Sequence, residues 1–278
     1  YFLEDDPILV KTEEFKDIFG NDNFAAVLTR CDNLFTKENL QLIRELTNEM
    51  MDSLSYADKI TSLTDIEFMV GSEEGMTIEQ IVPETIPSDP AQLEEIRHKA
   101  YLKPHVAERL VSKDGTLSWI ILKLRTFPED SVWNKGKNAV APEVLTGNEL
   151  DHIITKDKYQ KLHPKGTGLP YVTAMKMKWI SKEMPRVLGI ATLISILILL
   201  LVTRSFRGVV VPLVTAVGSI IIVYGMLGYV GMTIDSGMVM IPMLLTFAVS
   251  IAYNIHVYSY FKRQFLMHGK RTQAVEET

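Results

Sequence analysis

"VLGIATLISILILLLVTRSFRGVVVPL", residues 187–213, decides how the whole chain is read. Its first 17 residues, Val187–Thr203, carry no charge; a short turn with Arg204 and Arg207 follows, and a second uncharged run of 23 residues extends from Gly208 to Val230. Downstream, "GMVMIPMLLTFAVSIAYNIHVYSY" adds 24 more, Gly237–Tyr260. A helix crosses ~30 Å of hydrocarbon with roughly 20 apolar residues, so all three runs are long enough, the first only just. Three of them joined by short loops argue against the buried helices of a large soluble protein. The sequence predicts an α-helical transmembrane bundle over residues 184–264, with spans at about 187–203, 208–230 and 237–260, followed by a cytoplasmic tail over 265–278.

Outward from the spans the charge changes sign. Residues 1–183 hold 22 Lys and Arg against 31 Asp and Glu, whereas residues 184–278 hold 7 against 3, giving −9 and +4 within a chain of net charge −5. The first part reads as an acidic soluble domain, unsuited to nucleic acid, whose phosphates need basic patches. Lys and Arg near span ends favour the inner side of a membrane. The first inter-span turn and the tail (Lys262, Arg263, Lys270, Arg271) carry six, and the loop between the second and third spans carries none. Residues 1–183 are therefore expected outside, although Lys176, Lys178, Lys182 and Arg186 crowd the outer end of the first span. The single cysteine, Cys31, excludes an intrachain disulfide. The chain opens at Tyr1 and reads as a segment of a longer protein.

Within the acidic domain, "NFAAVLTR" (residues 23–30) predicts a strand. In "TKENLQLIRELTNEMMDSL" (36–54), Leu40, Ile43, Leu46, Met50 and Leu54 recur at helical spacing, and Thr36 is placed as an N-cap. "DKITSLTDIEFMVG" (58–71) reads as one strand and "IVPETIPSDP" (81–90) as a loop. Two short helices broken at Pro104 are expected over 90–112, a strand in "DGTLSWIILKLRTF" (114–127), a helix over 143–160, and a last strand beginning in "GLPYVTAM" (168–175). That order predicts an α+β fold of the ferredoxin-like β-α-β-β-α-β kind, with helices on one sheet face and the other free to bind. His98, His105, His152 and His163 are scattered, with no Cys or carboxylate to complete a metal set. No nucleophile elbow or glycine-rich phosphate loop occurs, so neither enzyme activity nor a cofactor is expected.

The order of these pieces carries a likeness. A domain ending in "TGLPYVTAMKMKWISKEMPR", a span, the turn "TRSFRGVVVPL", a span with "GMLGYVGMTID" and a span beginning "MIPMLLTFAVSIAYNIH" together resemble the first half of a resistance-nodulation-division (RND) permease. The nearest branch is that of MMPL-like and hydrophobe exporters, related to sterol-sensing proteins. The likeness covers Tyr1 to Thr278, and its most specific pieces are Gly168-Leu169-Pro170, the loop from Arg204 to Pro212, and Ile255-His256. It implies a span before Tyr1, further spans and a duplicated second half after Thr278, and residence in a bacterial cytoplasmic (inner) membrane with residues 1–183 on the outer side. It also implies a secondary-active transporter exporting lipid-like or hydrophobic molecules on an ion gradient. Its partners would be membrane lipids or hydrophobic cargo, the C-terminal half of the same protein and, in a homo-oligomer, further copies of the chain. The alternative is a lipid-sensing or scaffold protein of the same fold.

The family usually carries an aspartate three or four residues before the histidine of this helix. Here those positions are Tyr253 and Ala252, and none of the three spans contains Asp or Glu. Polar residues remain. At about 100° per residue, Thr246, Ser250, Tyr253 and Asn254 fall within about 100° of one helix face, with His256 about 60° beyond Tyr253. Three readings stand: bonding to a neighbouring helix, an ion path in which His256 titrates near its reference pKa of about 6.5, or an interfacial position for His256. Tyr258 and Tyr260 suit an aromatic belt. Met226, Met232, Met238, Met240 and Met243 gather toward the outer span ends, where thioethers suit apolar cargo or ordinary packing; Met238, Met240 and Met243 are the cargo-contact candidates. Pro242 is expected to kink the third span.

Overall fold

The structure, a computed structural model, describes residues 7, 8, 11, 12, 15, 23–72, 75–128, 140–231 and 239–276. The chain divides into two units, Tyr1–Met175 and Lys176–Thr278.

In the first unit, β1 (Phe24–Arg30) leads to α1 (Lys37–Ser53) and β2 (Ala57–Thr61). A hairpin follows, β3 (Glu67–Ser72) and β4 (Gly75–Gln80), then α2 (Pro90–Leu102), α3 (Pro104–Ala107) and β5 (Leu117–Leu124). Last come α4 (Pro142–Ile154), a 3-10 turn (Asp157–Leu162) and β6 (Lys165–Thr167). The main sheet has the order β2-β5-β1-β6 with every neighbouring pair antiparallel. Strands β1 and β2, joined through α1, therefore run parallel with β5 between them. Likewise β5 and β6, joined through α4, run parallel with β1 between them. These are two interlocked split β-α-β units.

Alternation decides which sheet face is dry. Ala25 and Val27 on β1 and Ile120, Leu122 and Leu124 on β5 pack with Leu40, Ile43, Leu46 and Met50 of α1 and Leu150 of α4. Those α1 positions are the helical stripe of the sequence. The helix begins because Thr36, in extended backbone, accepts a hydrogen bond from the Asn39 amide at 3.2 Å. Glu49, on the same helix, accepts from Lys158 at 2.7 Å, from the Tyr159 hydroxyl at 2.6 Å and from Lys156, which fastens the 3-10 turn to α1.

Three elements differ from the sequence reading. The single strand expected over 58–71 is split, because Ser62 and Thr64 are buried and bonded to one another in a turn where the amides of Asp65 and Ile66 donate to the Ser62 carbonyl. Glu67 then opens a separate two-stranded sheet. The helix expected to Gln160 ends at Ile154; the Thr155 hydroxyl bonds back to the Asp151 carbonyl, and Gln160 donates to the Ile154 carbonyl. The strand expected in 168–175 is instead helical from Leu169, and strand pairing is confined to Lys165–Thr167. Gly168, at φ 104°, makes the change of direction, and Pro170 sits in the first helical turn, where its missing N–H removes no bond.

The second unit is helical. Helix α5 (Leu169–Thr203) begins in the first unit and runs through the first predicted span. It is followed by α6 (Arg207–Val230), α7 (Met240–His268) and the short α8 (Arg271–Glu276). Among the described residues, α5, α6 and α7 are the helices long and apolar enough to cross a membrane. Leu199, Val209, Ala216, Phe247 and Ile251 form their buried seam. Helix α7 continues past Tyr260 to His268, so Lys262 and Arg263 lie on the helix and not in a tail. Pro242 falls in the first turn of α7.

Candidate functional site: the polar flank of the third membrane helix

The seam of α7 is set by Phe247, Ile251 and the partly buried Ile255, successive residues four apart. Measured around the helix at about 100° per residue, the centre of the set Thr246, Ser250, Tyr253 and Asn254 lies about 110° from the centre of that seam, and His256 about 140° from it. Helices α5 and α6 therefore do not cover the polar flank. Thr246, Ser250 and Asn254 are half-buried, Tyr253 is 70% exposed and His256 is exposed.

Bonding within the flank is intrahelical. Asn254 Nδ2 donates to the Ser250 carbonyl at 2.7 Å, one turn back. The amide is thus oriented by its own helix, while its carbonyl oxygen, the Ser250 hydroxyl, the phenol of Tyr253 and the imidazole of His256 are the further polar groups of this side. No carboxylate accompanies them in the spans.

Contacts between helices come from other side chains. The Tyr258 hydroxyl reaches the Thr203 carbonyl at the end of α5 at 3.5 Å, and the Tyr224 hydroxyl donates to the Val239 carbonyl at 2.8 Å. Tyr258, placed by sequence in an aromatic belt, thus also touches a neighbouring helix. Gln264 is 8% exposed, donates to the Tyr260 hydroxyl at 3.0 Å and has its Oε1 without a partner. Its burial was not signalled by the sequence, where it follows two basic residues at the end of the span. Of the methionines, Met240 and Met243 are half-buried in the first turn of α7 and Met226 is 63% exposed on α6; Met232 and Met238 lie outside the described residues.

The turn between α5 and α6 is tightly built. Arg204 is left-handed at φ 49°, its amide donates to the Leu200 carbonyl at 3.0 Å, and the Thr203 hydroxyl bonds to the Leu199 carbonyl at 2.7 Å. Gly208 lies so close to Thr203 that a Cβ there would sit 2.5 Å from the Thr203 Cβ.

Three helices able to span a membrane and an α+β domain with a split β-α-β sheet define a multi-pass membrane protein with a sizeable extramembrane domain. The sequence matches the MMPL family over residues 10–278, through both units, and the chain belongs to that family of RND-type membrane transporters. No curated protein matches it.

Proposed function

We propose that the chain is the N-terminal part of an RND-type secondary transporter that exports lipid-like or hydrophobic molecules on an ion gradient. The observation that carries this reading is the family match, which extends over the α+β domain and all three spans. In this reading residues 1–183 form a ferredoxin-like porter domain on the outer side of a bacterial cytoplasmic membrane. Support comes from the sheet order β2-β5-β1-β6, in which each strand pair joined by a helix encloses one strand of the other pair.

The polar flank of α7 is the ion path of this proposal. Polar groups at membrane depth are costly and face a protein interior or a water-filled cavity. Since α5 and α6 leave this side uncovered, further spans of the whole protein would close over it. Thr246, Ser250 and Asn254 then form a ladder of hydroxyl and amide groups, with Tyr253 beside it. His256 is the proposed proton carrier, the one imidazole on this side of the helix. Met240 and Met243, in the first turn of the helix, are the proposed apolar contacts for cargo, together with Met238, which lies outside the described residues.

A lipid-sensing scaffold of the same fold is the second reading, favoured by the absence of Asp and Glu from the spans. Reconstitution of the full-length protein into vesicles separates the two. A transporter releases a lipid probe faster when a proton gradient is imposed, and a sensor leaves the rate unchanged.

A further inference from the structure

The face of the main sheet turned away from α1 and α4 is not an ordinary solvated face. Register puts Phe24, Ala26, Leu28 and Arg30 of β1 on it beside Leu117, Trp119, Ile121 and Lys123 of β5. Lys165 of β6 pairs with Leu28 and so shares that face. Its centre is apolar: Phe24 is 47% exposed, and Leu28, Trp119 and Ile121 are half-buried. Its charged positions on β1, β5 and β6 are all cations, and those three strands contain no Asp or Glu. In a domain of net negative charge this separation of sign is conspicuous.

At the end of the same face lies a cavity of about 870 Å³, into which Leu28, Arg30, Leu117, Lys161, His163 and Lys165 project. Among the described residues, Asp32 is the one acid lining it. Lys161 is paired with Glu38, whereas neither Arg30 nor Lys165 has an ion-pair partner among the described residues. Asn39, 8% exposed, also lines the cavity. Its Nδ2 donates to the Asn33 carbonyl at 2.6 Å, which fixes Oδ1 as the free acceptor, and Oδ1 has no donor. A buried acceptor without a donor is rare in a folded domain and calls for an incoming hydroxyl or N–H.

We propose that this face and cavity bind an anionic amphiphile of the phosphoglycerol class. Its acyl chain lies along Phe24, Leu28, Trp119 and Ile121. Its phosphate sits between Arg30 and Lys165, and a head-group hydroxyl donates to Asn39 Oδ1. Apolar row, the cations Arg30 and Lys165, and the buried acceptor each match one part of such a molecule, and together they disfavour a purely apolar cargo. The inference rests on the reading of the chain as a carrier of lipid-like molecules and names the chemistry of one bound species.

Trp119 supplies the measurement. Full-length protein in nanodiscs of zwitterionic lipid is titrated with lysophosphatidylglycerol bearing a dibrominated acyl chain, and the contact quenching lost in a Trp119→Phe variant is taken as the signal. Saturable quenching is expected, with half-saturation at least about tenfold lower than for the brominated phosphocholine analogue. Arg30→Gln with Lys165→Gln raises it by about tenfold or more, and Asn39→Asp, which adds a like charge beside the phosphate, weakens it further. Circular dichroism and melting of each variant report whether it is folded. Equal quenching by the two lipids, or unchanged binding in a folded double variant, overturns the site. Full protection by soluble glycerol phosphate at the lipid's own concentration overturns the amphiphile in favour of a small phosphate ester. Gradient-driven efflux without this quenching leaves transport standing and removes the site; quenching without efflux does the reverse.

Discussion

Gly168 is held at φ 104°, and a Cβ there would run into the Phe24 carbonyl oxygen of the neighbouring strand. Both faults appear together in Gly168→Ala: a left-handed alanine and a collision with backbone that cannot move without disturbing β1. The expected loss is about 2–3 kcal/mol, read as a lower melting temperature of the purified protein. Glu49 shows the opposite use of a residue, as a charge fully spoken for. Burial opposes its ionisation, but hydrogen bonds from Lys156, Lys158 and Tyr159 outweigh that and hold its carboxyl at about 2, below the ordinary 4.5. A carboxyl depressed on folding stabilises the fold above its unfolded pKa, and that stabilisation is lost as the pH falls from about 4.5 to about 2. Glu49→Gln should therefore destabilise the domain by about 2 kcal/mol at pH 7, with the difference from wild type closing toward pH 2 in thermal melts. A difference independent of pH would contradict the assignment. The Tyr159 hydroxyl, pushed up to about 12 by burial and by its bond to Glu49, stays protonated throughout.

At the scale of elements, sequence patterns were readable where one period ran uninterrupted. The stripe Leu40, Ile43, Leu46 and Met50 marked α1, and the Asp114-Gly115 turn before an apolar run marked β5, though not which of its faces is dry. Breaks inside an apolar stretch were not readable, because they depend on contacts. The turn at Ser62–Ile66 needs the buried Ser62–Thr64 pair, and the strand-to-helix change at Gly168 needs the approach of β1. The same holds for the candidate sites. Helical spacing alone grouped Thr246, Ser250, Tyr253 and Asn254, but which side of α7 is left open depends on where α5 and α6 pack. Arg30, Asn39 and Lys165, far apart in sequence, meet only through strand register and the start of α1. The turn between α5 and α6 carries its own test. In Gly208→Val the added side chain must displace Thr203, whose hydroxyl is engaged with Leu199. The two helices should separate at that end, with a loss of about 2 kcal/mol or more, seen as reduced melting temperature and poorer recovery from detergent. Gly218→Ala, where a Cβ meets nothing within 4 Å, should leave both unchanged.

For the whole molecule, an α+β domain is followed in the chain by three helices able to span a membrane, the third of which carries a polar flank. The family membership is carried by residues 10–278, while the coupling residue is a proposal resting on His256 as the one imidazole of that flank. The absence of a carboxylate from these spans makes this claim sharp, since no neighbouring acid in them can substitute. It is tested most directly by lipid-probe efflux from vesicles containing the full-length protein under an imposed proton gradient, comparing wild type with His256→Ala, each verified as folded and inserted. Gradient-dependent efflux is expected in the wild type and should fall at least about tenfold in the variant, equivalent to about 1.4 kcal/mol in the rate-limiting barrier. Equal gradient-dependent efflux in both would contradict His256 as the coupling group, and no such efflux in either would contradict transport itself.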